Sequence, residues 1–103
     1  MPLPEQSDEQ RAAALAKAAE ARRVRAEMKE LLRTGSLSFA EVLERADRDD
    51  IVAGTKVVKV LQAMPGLGKV KANRLMEELG IADNRRLRGL GSTQRKELLD
   101  ALS

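Results

Sequence analysis

No glycine or proline interrupts the chain from Ser7 to Thr34. Ser7, with Gln10 three residues on, makes a capping box, and the helix formers Ala, Glu, Lys and Arg follow in abundance. The run predicts one helix over about residues 8–33, ended by Gly35. At about 1.5 Å per residue it is roughly 39 Å long. Its apolar pattern is uneven. Residues 12–21 are mostly Ala with only Leu15 large, whereas Val24, Met28, Leu31 and Leu32 give a stripe toward the end. The last two turns are therefore expected to pack on a body while the first half projects. Met1 to Gln6 carries two prolines and reads as a disordered start. A chain of 103 residues, 43% hydrophobic, has material for one small core. The expected division is an arm over residues 1–34 and a helical body over 35–103.

Punctuation sets out the body. Ser38 with Glu41 makes a second capping box, and Leu37 and Val42 sit where a hydrophobic staple forms. A helix over about 39–47 follows, burying Phe39, Val42, Leu43 and Ala46, and Asp49 and Asp50 close it. Thr55 is expected to cap a helix over about 56–64, which Pro65-Gly66 breaks. Another runs from near Lys69 to Leu79, with Ala72, Leu75, Met76 and Leu79 on one face, and ends at Gly80. Residues 81–91 read as a loop or short turn carrying Arg85, Arg86 and Arg88. Gly91 or Ser92 caps a last helix to about Leu102, with Leu98, Leu99 and Leu102 inward. No segment alternates with the period of a strand, so the fold class is all-α: a long N-terminal helix plus a small helical body.

Absences narrow the function. The chain has no Trp, Tyr, His or Cys and a single Phe. That composition offers no zinc site of the usual ligand types, no disulfide and no Cys or His nucleophile–base pair. One aromatic cannot build a stacking platform for unpaired bases. No apolar run approaches the roughly 20 residues of a membrane span, and no signal-peptide pattern opens the chain. The expectation is a soluble, intracellular, non-enzymatic protein without metal or cofactor. Charge is unevenly placed. Residues 1–50 carry net −2 and residues 51–103 net +5, and between Gly54 and Lys96 there are 10 basic and 3 acidic side chains. Such a region attracts a polyanion, most simply nucleic acid, or is only a solvated basic face. On the long helix Arg22, Arg25, Lys29 and Arg33 recur at helical spacing. That stripe either follows a phosphate backbone or is balanced by Glu20, Glu27 and Glu30.

An approximate repeat at an offset of 23 residues is the most informative motif. Gly66-Leu67-Gly68 and Gly89-Leu90-Gly91 each precede a helix, the first carrying Leu75, Met76 and Leu79 and the second Leu98, Leu99 and Leu102. The glycines allow a tight turn and a close approach, and the exposed N–H groups of the helix start suit a phosphate oxygen. The alternative is a compact helix–helix turn with no ligand. Flanking cations favour the anion: Lys69, Lys71 and Arg74 after the first copy, Arg85, Arg86 and Arg88 before the second, Arg95 and Lys96 after it. Gly66-Leu67-Gly68-Lys69 lacks the spacing of a Walker A loop and the third glycine of a dinucleotide fingerprint, and no strand precedes it.

Met64-Pro65-Gly66-Leu67-Gly68-Lys69-Val70-Lys71-Ala72 resembles the hairpin of helix-hairpin-helix and helix-two-turns-helix DNA-binding modules. Taken with Arg11-Ala12-Ala13-Ala14-Leu15, Ala21-Arg22-Arg23 and Arg85-Arg86-Leu87-Arg88-Gly89-Leu90-Gly91, nearly the whole chain resembles the actinobacterial integration host factor family. That family is unrelated in fold to the heterodimeric β-arm proteins of similar name. The resemblance implies a nucleoid-associated protein of the bacterial cytoplasm, monomeric in solution. Such a protein binds double-stranded DNA with little sequence preference and bends or constrains it. It further implies one phosphate contact at the hairpin, through Pro65, Gly66, Leu67, Gly68, Lys69, Val70, Lys71 and Arg74. A second, Arg-rich contact would use Arg85, Arg86, Arg88, Gly91, Ser92 and Gln94. Helical spacing, rather than the resemblance, adds Arg22, Arg25, Lys29 and Arg33 as candidates for further phosphate contacts. Two grips a fixed distance apart would select groove width, so that deformable duplex binds better.

Two other classes remain open from the sequence. A small-subunit ribosomal protein carries a similar helix-two-turns-helix, so structured RNA is an alternative ligand, although no long basic tail is seen here. A helical interaction protein would instead use the Ala-rich arm against a partner. No set of residues suggests a reaction or a small-molecule substrate.

Overall fold

A computed structural model describes residues 7–102; the reading of Met1 to Gln6 as a disordered start lies outside the described residues. Helix α1 runs Asp8–Arg33, α2 Phe39–Ala46, α3 Asp50–Ala53, α4 Val57–Ala63, α5 Gly68–Glu78 and α6 Ser92–Leu102, with a 3₁₀ turn at Leu87–Gly89 before α6. The fold is all-α. Among the described residues the one strand-like pairing is an isolated antiparallel bridge between Lys56 and Arg86.

Local chemistry sets most boundaries. The Ser7 hydroxyl accepts from the Gln10 N–H at 3.1 Å while the Gln10 side chain accepts from the Ser7 N–H at 3.0 Å. Ser38 and Glu41 reciprocate in the same way at the start of α2, and the stapling pair Leu37 and Val42 is buried. Helices α1 and α5 end alike. Ser36 N–H donates to Leu31 O and Gly35 N–H to Leu32 O, while Ile81 N–H donates to Met76 O and Gly80 N–H to Glu77 O. Both are Schellman closures, which satisfy carbonyls the helix leaves open.

Helix α4 is the centre of the body. Val57, Val58, Val60 and Leu61 are all buried, and an apolar surface on several sides is what a central helix needs. It packs between α5 and α1, while α2 packs on α3, and α6 and the 3₁₀ turn close against α2. Met28 and Leu32 of α1 reach this core, as do Ala72 and Met76 of α5, Leu87 and Leu98. Residues 7–20 are exposed throughout, with Leu15 70% accessible. The projecting first half of α1 stretches the molecule to 48 × 32 × 25 Å, with a Cα radius of gyration of 15.9 Å. A compact chain of about 100 residues has about 13 Å.

Three expectations are corrected. Asp49 and Asp50 do not merely close α2: the Asp49 carboxylate accepts from the Ile51 N–H at 2.9 Å and caps the short helix α3, absent from the sequence reading. A four-residue helix carries too little periodicity to detect. Thr55 does not cap α4. The cap position is Lys56, with no side-chain hydrogen bond, and Thr55 is buried. Its hydroxyl donates back to Ile51 O at 3.0 Å, serving the helix behind it. The two Gly-Leu-Gly copies are not conformational repeats. Gly66 and Gly68 have φ of 79° and 70°, whereas neither Gly89 nor Gly91 has a positive φ. The second copy belongs instead to the 3₁₀ turn and the extended residue Leu90 that follows it.

Candidate nucleic-acid interface

The hairpin between α4 and α5 is built by Pro65, which cannot continue α4, and by two left-handed glycines. Leu67 points its half-buried side chain back to the core, holding the turn against the body. Pro65, Gly66, Gly68, Lys69, Val70, Lys71 and Arg74 are all exposed. No cap side chain closes the start of α5. Its first N–H groups and Lys69 and Lys71 therefore share one exposed rim, and the partial positive charge of the helix start adds to theirs. Val70 is 71% exposed between the two lysines, an apolar side chain on an otherwise cationic edge.

The Arg-rich segment is held by a different device. Val57 N–H donates to Arg85 O at 2.9 Å and Leu87 N–H to Thr55 O at 3.0 Å, which ties residues 85–87 to the chain entering α4. Leu87 is fully buried and anchors the turn. The three guanidinium groups then bond to backbone carbonyls rather than to carboxylates. Arg85 donates to Gly89 O at 2.8 Å, Arg86 to Gly54 O, and Arg88 reaches Asp50 O at 3.5 Å. A carbonyl orients a guanidinium without cancelling its charge. Gly91 and Ser92 are exposed at the start of α6, and the Gln94 side chain accepts from the Gly91 N–H at 3.3 Å. Gln94 is thus engaged in capping.

The stripe on α1 divides. Arg22 is exposed. Arg33 pairs with Glu30, whose carboxyl is held below its ordinary pKa by the hydrogen bond from Arg33 and then by its charge. Arg25 and Lys29 turn toward the body, where with Lys56, Lys59 and Arg86 they line a cavity of about 280 Å³ over Gly54 and Thr55. Arg25 Nε donates to the Thr55 hydroxyl at 3.3 Å. Its neighbour Arg23 points elsewhere, paired with Glu20 and Glu27. None of the four ion pairs among the described residues involves a cation of the hairpin, of the Arg-rich segment or of this cavity.

The hairpin and the Arg-rich residues thus lie in separate places on the body. The hairpin follows the last turn of α4; Arg86 joins Arg25 and Lys29 at its first turn, about 10 Å away along a seven-residue helix. Sequence reasoning missed Lys56, Lys59, Gly54 and Thr55 as parts of a cationic site. Lys56 and Lys59 stand three apart on a helix, a visible signal, but only the bridge to Arg86 shows what they face.

Residues 32–102 match the S13-like H2TH domain family. The chain is 54% identical over 100 residues to the integration host factor of Mycobacterium tuberculosis, covering 97% of this chain and 95% of that one. The chain belongs to the integration host factor family. The integration host factor of Streptomyces coelicolor is 50% identical over 94 residues, with coverage of 91% and 88%. A solved structure, sIHF bound to an 8bp palindromic DNA, is similar with a TM-score of 0.82 at 43% identity, covering 85% of this chain and 99% of that one. The matched span runs from the end of α1 through α6 and so includes α4, the hairpin and α5.

Proposed function

We propose that this protein is a nucleoid-associated architectural protein that binds duplex DNA through backbone phosphates and bends or constrains it. The observation that carries the reading is the exposed pair of left-handed glycines, Gly66 and Gly68, opening α5 beside Lys69 and Lys71. Backbone N–H groups at a helix start recognise phosphate oxygens and read no base. The second grip is the Arg-rich turn, where Arg85, Arg86 and Arg88 are oriented by carbonyls and keep their charge available. The similar structure holds DNA, and the named relatives are integration host factors. Ser92 is a peripheral phosphate contact in this reading, Gln94 acts by shaping the α6 start, and Arg22, exposed on α1, is placed to follow the backbone.

Two grips on a rigid body fix a spacing, so specificity comes from the shape and deformability of the duplex. No reaction is assigned to the protein. Duplex is favoured over structured RNA because the relative seen with nucleic acid is bound to DNA. The lone aromatic, Phe39, is buried and offers no base a stacking face.

The test is a duplex titration across salt concentration. If about five phosphates are neutralised, log affinity falls with log salt at a slope near −4.5, at about −0.9 per phosphate. Changing Arg85, Arg86 and Arg88 together to Ala flattens the slope and weakens binding by at least about ten-fold, with helical content retained in circular dichroism. A salt-independent affinity, or a folded triple variant that binds as wild type, refutes the reading.

A further inference from the structure

We propose that the cavity over Gly54 is a site for a free condensed phosphate, a short chain of linked phosphoryl groups, distinct from the hairpin grip. Five cations line it, Arg25, Lys29, Lys56, Lys59 and Arg86, together with Gly54 and Thr55 and no carboxylate. A solvated basic face is usually laced with acids, as Arg23 and Arg33 are elsewhere on α1. This one is not.

The cations are also held in place. Arg25 is anchored by the hydroxyl of Thr55, only 4% exposed, and that hydroxyl is fixed in turn by Ile51 O. Arg86 is anchored by Gly54 O. Guanidinium groups crowd around residue 54. A Cβ there lies 2.8 Å from Arg88 Nη2, 3.2 Å from Asp50 O and 3.6 Å from Arg25 Nη2, so any side chain intrudes where the guanidinium groups converge. Like charges fixed around a half-enclosed space raise the free energy of the empty site, and an entering anion relieves that repulsion without first having to order the side chains.

Size and charge select the ligand class. The cavity, of about 280 Å³ and open to solvent, admits more than one phosphoryl group. A single phosphate monoester carries only about −1.5 to −2 at neutral pH, short of the five positive charges around it. A tri- or tetraphosphate chain concentrates more charge in the same space. No aromatic side chain lines the cavity, so an attached nucleoside gains nothing. A duplex strand offers its phosphates singly, one per about 3.4 Å of axis, and cannot concentrate them there in the same way.

The experiment is calorimetric titration of the full chain with sodium tripolyphosphate, ATP and orthophosphate at constant ionic strength. Tripolyphosphate and ATP are expected to bind within about three-fold of each other, and orthophosphate at least ten-fold more weakly. Lys56→Gln with Lys59→Gln, both exposed positions, lowers tripolyphosphate affinity at least ten-fold, while Lys69→Gln with Lys71→Gln changes it less than two-fold. Thr55→Val removes no charge but frees Arg25, and lowers the affinity several-fold. Equal losses in both lysine pairs, ATP binding ten-fold tighter than tripolyphosphate, or no binding of tripolyphosphate overturns the proposal.

Repeating the titration with the protein saturated by a short duplex separates the sources. Because Arg86 also serves the Arg-rich grip, a loss of no more than about three-fold supports a free ligand; full displacement assigns the cavity to DNA phosphate and overturns the free chain as its occupant. A protein that takes tripolyphosphate but not duplex would refute the DNA reading and leave this one standing.

Discussion

Gly66 and Gly68 carry the clearest single-residue requirement in the molecule. Both adopt left-handed backbone, and no heavy atom lies within 4 Å of the position a Cβ would take at either. The obstacle to a side chain is therefore backbone conformation and not crowding. Gly66→Ala is expected to cost about 1–2 kcal/mol, the left-handed penalty for an L-residue, seen as a lowered denaturant midpoint. It should also weaken duplex binding, because the turn relaxes away from the geometry that presents the α5 N–H groups. Protonation matters at few other places. Glu41 is held below its ordinary pKa by the hydrogen bond from the Ser38 N–H, and Glu30 by Arg33. Groups lowered in the folded state contribute fully above the unfolded value, about 4.3 for Glu, and that contribution is lost as pH falls through the lowered value. With no histidine in the chain, thermal stability should be flat from pH 6 to 8 and decline only below about pH 4.5. A scanning-calorimetry pH series checks this, and a transition centred near pH 6.5 would contradict it.

Among the elements, the 3₁₀ turn Leu87–Gly89 has the most to lose. Leu87 is its only buried side chain, yet the residues on either side, Arg86 and Arg88, are aimed by it. Leu87→Ala is expected to cost about 2–5 kcal/mol, as for other fully buried leucines, and to reduce duplex affinity even where the protein remains folded. Chemical denaturation and a gel shift at low temperature separate the two effects. Arg85→Ala, which loses the bond to Gly89 O but no core contact, should reduce binding without the stability loss. The exposed ion pairs on α1 are of a different order. Arg23 and Arg33 with their Glu partners lie in solvent, where such pairs contribute little.

At the scale of the whole molecule, truncation puts to the test the expected division into an arm over 1–34 and a body over 35–103. Residues 7–20 are exposed throughout, whereas Met28 and Leu32 are buried against the body. Removal of residues 1–20 should leave the melting temperature within a few degrees of wild type. Removal of residues 1–34 takes two core side chains and should abolish the cooperative transition. Circular-dichroism melts of both truncations decide the matter. The same removal takes Arg25 and Lys29 from the Gly54 cavity, so the arm's base serves both packing and charge.

Most elements, and the caps of α1 and α2, were legible in the amino-acid order because both rest on neighbours. The capping residues Ser7 and Ser38, the uninterrupted α1, the buried face of α2 and the Pro65-Gly66 break each depend on contacts within about four positions. The hairpin was legible for the same reason: two glycines, a proline and the following lysines are contiguous. Tertiary structure alone decided that Thr55 turns inward, that the second Gly-Leu-Gly adopts another conformation, and that Arg86 meets Arg25 and Lys56. Those outcomes depend on hydrogen bonds joining residues thirty or so positions apart, from Arg25 to Thr55 and from Leu87 to Thr55. Local spacing holds no record of such contacts, since they form only when the burial of Leu87 and Val57 brings distant backbone together.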